Sequence, residues 1–251
     1  MKKLLATLGV AAVWTGALAQ SVTYIDLGTV ANGRLQDFPL TPYSGIFLPN
    51  EIKSASRDGV TFDLSKNGLN FWNSYIDKTP GSHQLSFTTD IYGATSVYTQ
   101  LNTYWGIPKR SDLAYIEFES SNGMSYRKWL IGDEDIRDYN YNPVGTNLIN
   151  GTSTIQVASY DVYPNGGGQR LDMQRFDLPT YFSNSSLTRI SIWDAAPGWE
   201  QQYLFLSGIA VKSSNPTNNA VPEPSEWAAM GLLGTGLLGL VVKGRKKKLV
   251  N

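Results

Sequence analysis

Short stretches in which apolar and polar residues alternate dominate the middle of the chain. A period of two is typical of β-strands that bury one face, and no stretch of ten or more residues shows the 3.6-residue period of an amphipathic helix. The chain therefore predicts an all-β domain over residues 20–214. The alternating positions are Val60, Phe62, Leu64; Leu85, Phe87; Val97, Thr99, Leu101; Ala114, Ile116, Phe118; Ile155, Val157; Ile190, Ile192; and Tyr203, Phe205.

Turn-forming dipeptides punctuate these stretches, among them Asp58-Gly59, Asn122-Gly123 and Asn150-Gly151. The clearest hairpin joins residues 113–119 to residues 124–131 through Asn122-Gly123, because this dipeptide favours the tight turns of antiparallel pairs. About eight to ten short strands at this spacing predict a single β-sandwich that is jelly-roll-like.

The N-terminus has the layout of a secretory signal peptide. Two lysines precede an apolar run over residues 4–18, and small residues up to Ala19 form a cleavage site before Gln20. Residues 1–19 are therefore predicted to direct the chain to the Sec translocon and to be removed between Ala19 and Gln20. The remaining chain is expected outside the cytoplasm.

The C-terminal region combines a proline motif, an apolar run and a basic cluster. After a polar linker at 215–220, Pro222-Glu223-Pro224 precedes a mostly apolar run at 227–242. As a helix this run spans about 24 Å, and thinning of a hydrocarbon core of about 30 Å accommodates it. The positive-inside rule then predicts a transmembrane helix with the domain outside and the basic cluster in the cytoplasm. The basic residues are Lys243, Arg245, Lys246, Lys247 and Lys248.

Residues 221–248 resemble the PEP-CTERM domain of exosortase-processed bacterial proteins. The resemblance rests on Val221, Pro222, Glu223, Pro224 and Ser225, on the Gly- and Leu-rich run that follows, and on the basic cluster, in that order. Glu226 departs from the threonine that is common after the serine, and three residues extend past the basic end.

The resemblance implies that an exosortase-type membrane protease recognises and processes the Pro-Glu-Pro motif. The protein would then be anchored transiently in the inner membrane, and would pass to the cell surface or extracellular matrix of a bacterium that makes exopolysaccharide. The prolines agree with this role, because they keep Glu223 in an extended segment that a protease cleft accepts. The alternative is a permanent anchor in which the Pro-Glu-Pro sequence is accidental.

Charge and composition exclude several classes of function. The whole chain has 21 Lys+Arg and 21 Asp+Glu. Without the two lysines of the signal peptide, the five residues of the basic cluster, Glu223 and Glu226, the domain has 14 basic and 19 acidic residues, a net charge of about −5. This charge does not favour nucleic-acid binding, which needs a basic face. The chain has no cysteine, which excludes disulfides and thiolate metal sites, and it has a single histidine.

Aromatic residues beside turns are the first candidates for ligand binding. They are Trp105, Tyr139, Tyr141 and Trp199, with Arg137 nearby to bind hydroxyl groups. Indole and phenol rings stack on the C–H faces of sugars, so these residues predict a carbohydrate-binding platform. The alternative is that the rings belong to the core. In its general pattern the domain is similar to galactose-binding-type β-sandwich modules, a resemblance that implies a carbohydrate ligand but identifies no binding residue.

The densest run of carboxylates lies at 132–138. Asp133, Asp135 and Asp138 predict a structural calcium site, since Ca²⁺ prefers oxygen ligands on a loop. The alternative is a solvated or arginine-paired turn. Glu117 and Glu119 share the polar face of one strand, so they could flank a sugar. A glycosidase needs two carboxylates on either side of the bond that it cleaves.

Three functions follow from the sequence. The first is a non-catalytic, exported surface or matrix protein that associates with exopolysaccharide. The second is a secreted polysaccharide hydrolase or lyase that uses Glu117, Glu119 or the acidic run. The third is a purely structural matrix protein with buried aromatic residues. The sorting signal favours the first function. The chain also has neither a nucleophile elbow nor a phosphate-binding glycine loop, and its single histidine, His83, lies beside a turn.

Overall fold

The computed structural model describes residues 20–35, 54–65, 68–74, 81–140, 146–161, 168–195 and 202–214. The chain forms two compact units, residues 1–216 and 217–251, and all the described residues belong to the first. In these described ranges the chain forms twelve β-strands and one 3-10 helix, Thr180–Asn184, and no α-helix. The all-β prediction is therefore confirmed.

The strands overlap every alternating stretch of the sequence. The twelve strands outnumber the eight to ten that the sequence predicts, because the shortest strands have too few residues to show a period of two. They are β1 (Ser21–Tyr24), β2 (Ser54–Arg57), β3 (Val60–Asp63), β4 (Trp72–Asn73), β5 (His83–Tyr92), β6 (Ala94–Tyr104), β7 (Ala114–Ser120), β8 (Ser125–Trp129), β9 (Thr154–Asp161), β10 (Gly168–Asp177), β11 (Ser186–Asp194) and β12 (Tyr203–Ser213).

The strands form two large antiparallel sheets and a separate hairpin. The six-stranded sheet has the order β1-β12-β6-β10-β9, with β4 also paired to β12. The four-stranded sheet has the order β5-β11-β7-β8, and β2 pairs with β3. The predicted hairpin is confirmed as β7 and β8, and its turn holds Gly123 at a φ of 82°.

The two sheets share one buried core, an arrangement consistent with a β-sandwich. The inward residues of each sheet come from alternate positions, which explains the period of two in the sequence. The six-stranded sheet contributes Val97, Leu101, Leu204, Leu206, Ile209 and Val211, and the four-stranded sheet contributes Leu85, Phe87, Ile116, Phe118, Ile190 and Ile192.

A second core lies on the other face of the six-stranded sheet. There the β2–β3 hairpin packs its apolar residues against Tyr98, Phe205 and Ala210. Gly208 permits this approach, since a Cβ atom at that position would lie 2.6 Å from the ring of Phe62. Strands β6 and β12 are consequently buried on both faces.

The predicted signal peptide, sorting motif, transmembrane helix and basic cluster lie outside the described residues, except that exposed Gln20 directly precedes β1. Over the ranges that the structure describes, no helix has the length and apolar content needed to cross a bilayer.

Candidate functional site

Three aromatic side chains meet on the outer face of the four-stranded sheet. Tyr115 of β7 lies directly opposite Trp129 of β8 on one side and Trp193 of β11 on the other. Their chain neighbours Ala114 and Ile192 are buried in the core. Because successive side chains of a strand point to opposite faces, the three rings lie on the face that points away from the core.

The rings form a compact cluster. The ring centres of Tyr115 and Trp193 are 5.3 Å apart and nearly parallel, at 18°. Trp129 stands almost perpendicular to both, with its centre 5.0 Å from Tyr115 and 6.1 Å from Trp193. Trp129 is 38% exposed, whereas the other two side chains are half-buried. The cluster therefore holds one accessible indole in a fixed orientation against two supporting rings.

Charged side chains border this cluster. The guanidinium carbon of Arg127 lies 4.1 Å from the centre of the Tyr115 ring, a cation–π contact. Arg127 also forms an ion pair with Glu117, with Nη2 2.9 Å from Oε1. We call Tyr115, Trp129, Trp193, Arg127 and Glu117 together the aromatic surface.

The aromatic surface combines the two kinds of group that sugars need. An indole face packs against the C–H groups of a pyranose ring, while Arg127 donates and Glu117 accepts hydrogen bonds with hydroxyl groups. An ion pair this exposed is worth about 0–1 kcal/mol, so a ligand replaces it at small cost. The surface is therefore suited to an uncharged carbohydrate.

The predicted platform around Trp105 and Tyr139 needs correction. Tyr139 is fully buried, and its ring packs edge-on against Phe205 with the centres 4.9 Å apart. A buried ring has no face open to a sugar, so Tyr139 belongs to the second core. Trp105 is half-buried, and the centre of its ring is 4.2 Å from that of Tyr104. It follows β6 of the six-stranded sheet, whereas the aromatic surface belongs to the four-stranded sheet. Tyr141 and Trp199 lie outside the described residues.

Arg137 also has a structural role in place of the predicted binding role. Its guanidinium forms a two-pronged ion pair with Asp172, with Nε and Nη2 each 2.7 Å from a carboxylate oxygen. Asp172 also accepts a hydrogen bond from Asn102, and both charged groups are buried. This network fastens the segment after β8 to strands β6 and β10.

The aspartates of the predicted calcium site bind different partners within the protein. Asp133 accepts the backbone N–H groups of Asn147 and Leu148, and Asp135 pairs with Lys128 at 3.0 Å. No group of three potential ligand side chains converges on a metal position within the described part of the chain. These carboxylates hold the loop together through separate partners.

Asp138 is buried among hydrogen-bond donors. Its Oδ1 accepts hydrogen bonds from the Gly106 N–H group and from the hydroxyl groups of Thr103 and Thr146. Burial raises the pKa of the Asp138 carboxyl to about 7, although these bonds and the charge of Arg170 act in the opposite direction. Burial together with nearby Arg137 also lowers the pKa of Arg170 to about 10.

The sequence signal for the aromatic surface lies within strands and not beside turns, where the predicted platform residues lie. Tyr115 lies between Ala114 and Ile116, and Trp193 follows Ile192, so the alternation already places both rings on the polar face of their strands. Their meeting with Trp129 depends on the register across three strands, which the spacing along the chain does not give.

The comparisons with known proteins add no family to this description. No protein-family model matches the chain, and no curated protein is significantly similar to it in sequence.

Proposed function

We propose that this protein is an exported, exosortase-sorted protein of the cell surface or extracellular matrix. In this proposal its jelly-roll-like β-sandwich associates with exopolysaccharide through the aromatic surface and performs no catalysis. Its partners are the Sec translocon, an exosortase-type membrane protease, the membrane in which the C-terminal helix is anchored transiently, and the polysaccharide.

The observation that carries the carbohydrate proposal is the accessible Trp129 indole, which packs against Tyr115 and Trp193. The solvent face of an antiparallel sheet ordinarily carries polar side chains. Here three clustered rings and a neighbouring ion pair replace that polar pattern. A role in binding a sugar explains the difference. Cross-strand packing alone also stabilises a sheet, by about 0.2–1 kcal/mol for each pair, and is the purely structural alternative.

The position of the aromatic surface suits a tethered protein. The described chain leaves the domain at Ser214, whose backbone N–H group donates to the carbonyl oxygen of Gly93, and Gly93 in turn donates to Ser185. Strand β11 starts beside this point, and Trp193 lies seven residues farther along it, roughly 23 Å away. The proposed binding surface is therefore remote from the point where the predicted linker begins.

The hydrolase or lyase alternative has weaker support. Glu117 pairs with Arg127, and Glu119 pairs with Arg189 across the neighbouring strand. Each carboxylate thus already has an arginine partner, whereas the two carboxylates of a glycosidase face each other across the scissile bond.

A glycan panel tests the proposal. The full chain, kept in a detergent without a sugar head group, is titrated with oligosaccharides while tryptophan fluorescence and the release of reducing ends are followed. We expect saturable fluorescence changes with at least one uncharged glycan and no new reducing ends. Binding to none of the glycans contradicts the proposal, and reducing ends that disappear in Glu117→Gln support the enzyme alternative.

A further inference from the structure

A second recess, separate from the aromatic surface, opens at the edge of the six-stranded sheet. Strand β1 pairs with β12 from Ala210 onwards, and β4 pairs with β12 only as far as Leu206. A cleft of about 390 Å³ lies here, and its lining includes Ser207 and Gly208 of β12 and residues 61–63 of β3. This volume falls within the range of small-ligand sites.

The mouth of the cleft is apolar and exposed. Tyr24 is 50% exposed and Leu69 is 59% exposed, and both line the cleft. Two contacts fix the Tyr24 ring in place. Its hydroxyl oxygen accepts a hydrogen bond from the Thr61 N–H group, with the two heavy atoms 3.1 Å apart, and its ring packs edge-on against Phe62, with the ring centres 6.0 Å apart. Tyr24 therefore offers a preformed wall to a ligand.

The charge of the cleft is negative. Asp26 and Asp63 are among the lining residues, whereas the described lining includes no lysine or arginine. Oδ1 of Asp26 accepts the N–H group of Gly28, 2.9 Å away in its own turn, so the carboxylate is held at the wall of the cleft. A carboxylate beside an aromatic face attracts a cation through both charge and the ring quadrupole.

We propose that this cleft binds an amine-bearing sugar, a hexosamine unit of a polysaccharide. The ammonium group lies at Asp26, and the C–H face of the sugar packs on Tyr24. Thr61, Asn70 and Ser207 line the same cleft and supply polar groups for the hydroxyls. This inference goes beyond the proposed function, since the cleft belongs to the other sheet and needs none of the aromatic surface.

The test compares two oligosaccharides that differ only at the amine. The full chain, in the same detergent, is titrated calorimetrically at about pH 5.5 with a glucosamine tetramer and with its fully N-acetylated form. At this pH a sugar amine is protonated, as an α-amino group is. We expect the free-amine tetramer to bind at least about tenfold more tightly, with an affinity that falls as salt rises.

Matched variants locate the binding. Asp26→Asn is expected to remove the preference for the free amine, and Tyr24→Ala to weaken both tetramers, whereas Asp90→Asn, an exposed carboxylate on β5, changes neither. Equal affinities for the two tetramers, an unchanged Asp26→Asn variant, or equally tight binding of a lysine tetrapeptide would overturn the inference. Trp129→Ala separates the two proposals, because it removes binding at the aromatic surface and leaves the preference for the free-amine tetramer intact.

Discussion

The side-chain oxygens of Ser21 and Ser213 are hydrogen bonded at 2.7 Å, although 192 positions separate them in the chain. The bond joins the first residue of β1 to the last residue of β12, and the two strands pair from this point to Tyr24 and Ala210. The described domain therefore begins and ends at one place in the sheet. Ser21 follows the predicted signal-peptide cleavage site by one residue, so the new N-terminus would lie directly beside the sheet.

This bond makes a stability prediction. Ser213 is fully buried, and Ser213→Ala removes its hydrogen bond with Ser21. We expect the free energy of unfolding to fall by about 1 kcal/mol. Thermal unfolding measures the change, with Ser82→Ala, an exposed serine before β5, as the control. Equal losses in the two variants would show that the serine pair adds no stability.

A larger loss of stability is expected when the Arg137–Asp172 ion pair is broken. Removing one partner leaves the other charge buried and uncompensated, so Asp172→Asn and Arg137→Met are each expected to cost about 3–5 kcal/mol. The double variant should recover part of this loss, because neither charge then remains. Urea unfolding of the four proteins gives the coupling energy. Strictly additive losses would contradict a direct pair.

Asp138 predicts a pH dependence of stability. Its folded-state pKa of about 7 lies above the value near 4 of an unfolded aspartate. The folded protein therefore binds this proton more tightly, and the resulting stabilisation is fully present below about pH 4 and lost as the pH rises through 7. Each pKa unit of difference corresponds to about 1.4 kcal/mol.

Asp138→Asn tests this assignment, since the amide oxygen can still accept the Gly106 bond and the side chain no longer ionises. We expect the variant to exceed the wild type in stability at pH 8 and to match it near pH 4. Chemical unfolding across this range measures the difference between the two proteins. Parallel pH profiles would show that Asp138 does not titrate in this window.

The proposed sorting motif predicts a change of location. Replacing Pro222 and Pro224 by alanine lets the segment around Glu223 become helical, which a protease cleft that binds extended chains accepts poorly. We expect the variant to remain in the inner membrane when cells are fractionated. Pro216→Ala, in the predicted linker, is the control and should be released normally. Undiminished release of the double variant would exclude this role for the motif.

Much of the fold follows from the sequence where one face of a strand is buried. Strands β3 and β7 alternate because their outward residues meet solvent, and the Asn122-Gly123 turn defines the β7–β8 hairpin. The same reasoning fails for β6 and β12. The alternation at Val97, Thr99 and Leu101 and at Tyr203 and Phe205 predicts one solvent-facing side for each strand, but the β2–β3 hairpin packs against the side opposite the shared core, so both sides are buried.

The candidate site was harder to predict for a similar reason. The composition indicates an excess of aromatic residues but not which rings are exposed. Tyr139 lies beside turn residues in the sequence, yet packing against Phe205 buries it. Trp129 lies in the edge strand β8, and it becomes part of a cluster only because β7 and β11 place Tyr115 and Trp193 beside it.

The most direct test of the carbohydrate proposal is the affinity of Trp129→Ala for matrix polysaccharide. Tyr92→Ala is the matched control, because Tyr92 is 45% exposed and ends β5 beside Ser186, at the opposite end of the same sheet. Calorimetry with polysaccharide purified from the producing cells measures both variants. We expect the affinity of Trp129→Ala to fall at least about tenfold, which corresponds to about 1.4 kcal/mol, and the affinity of Tyr92→Ala to be unchanged. Equal affinities of Trp129→Ala and the wild type would contradict the account.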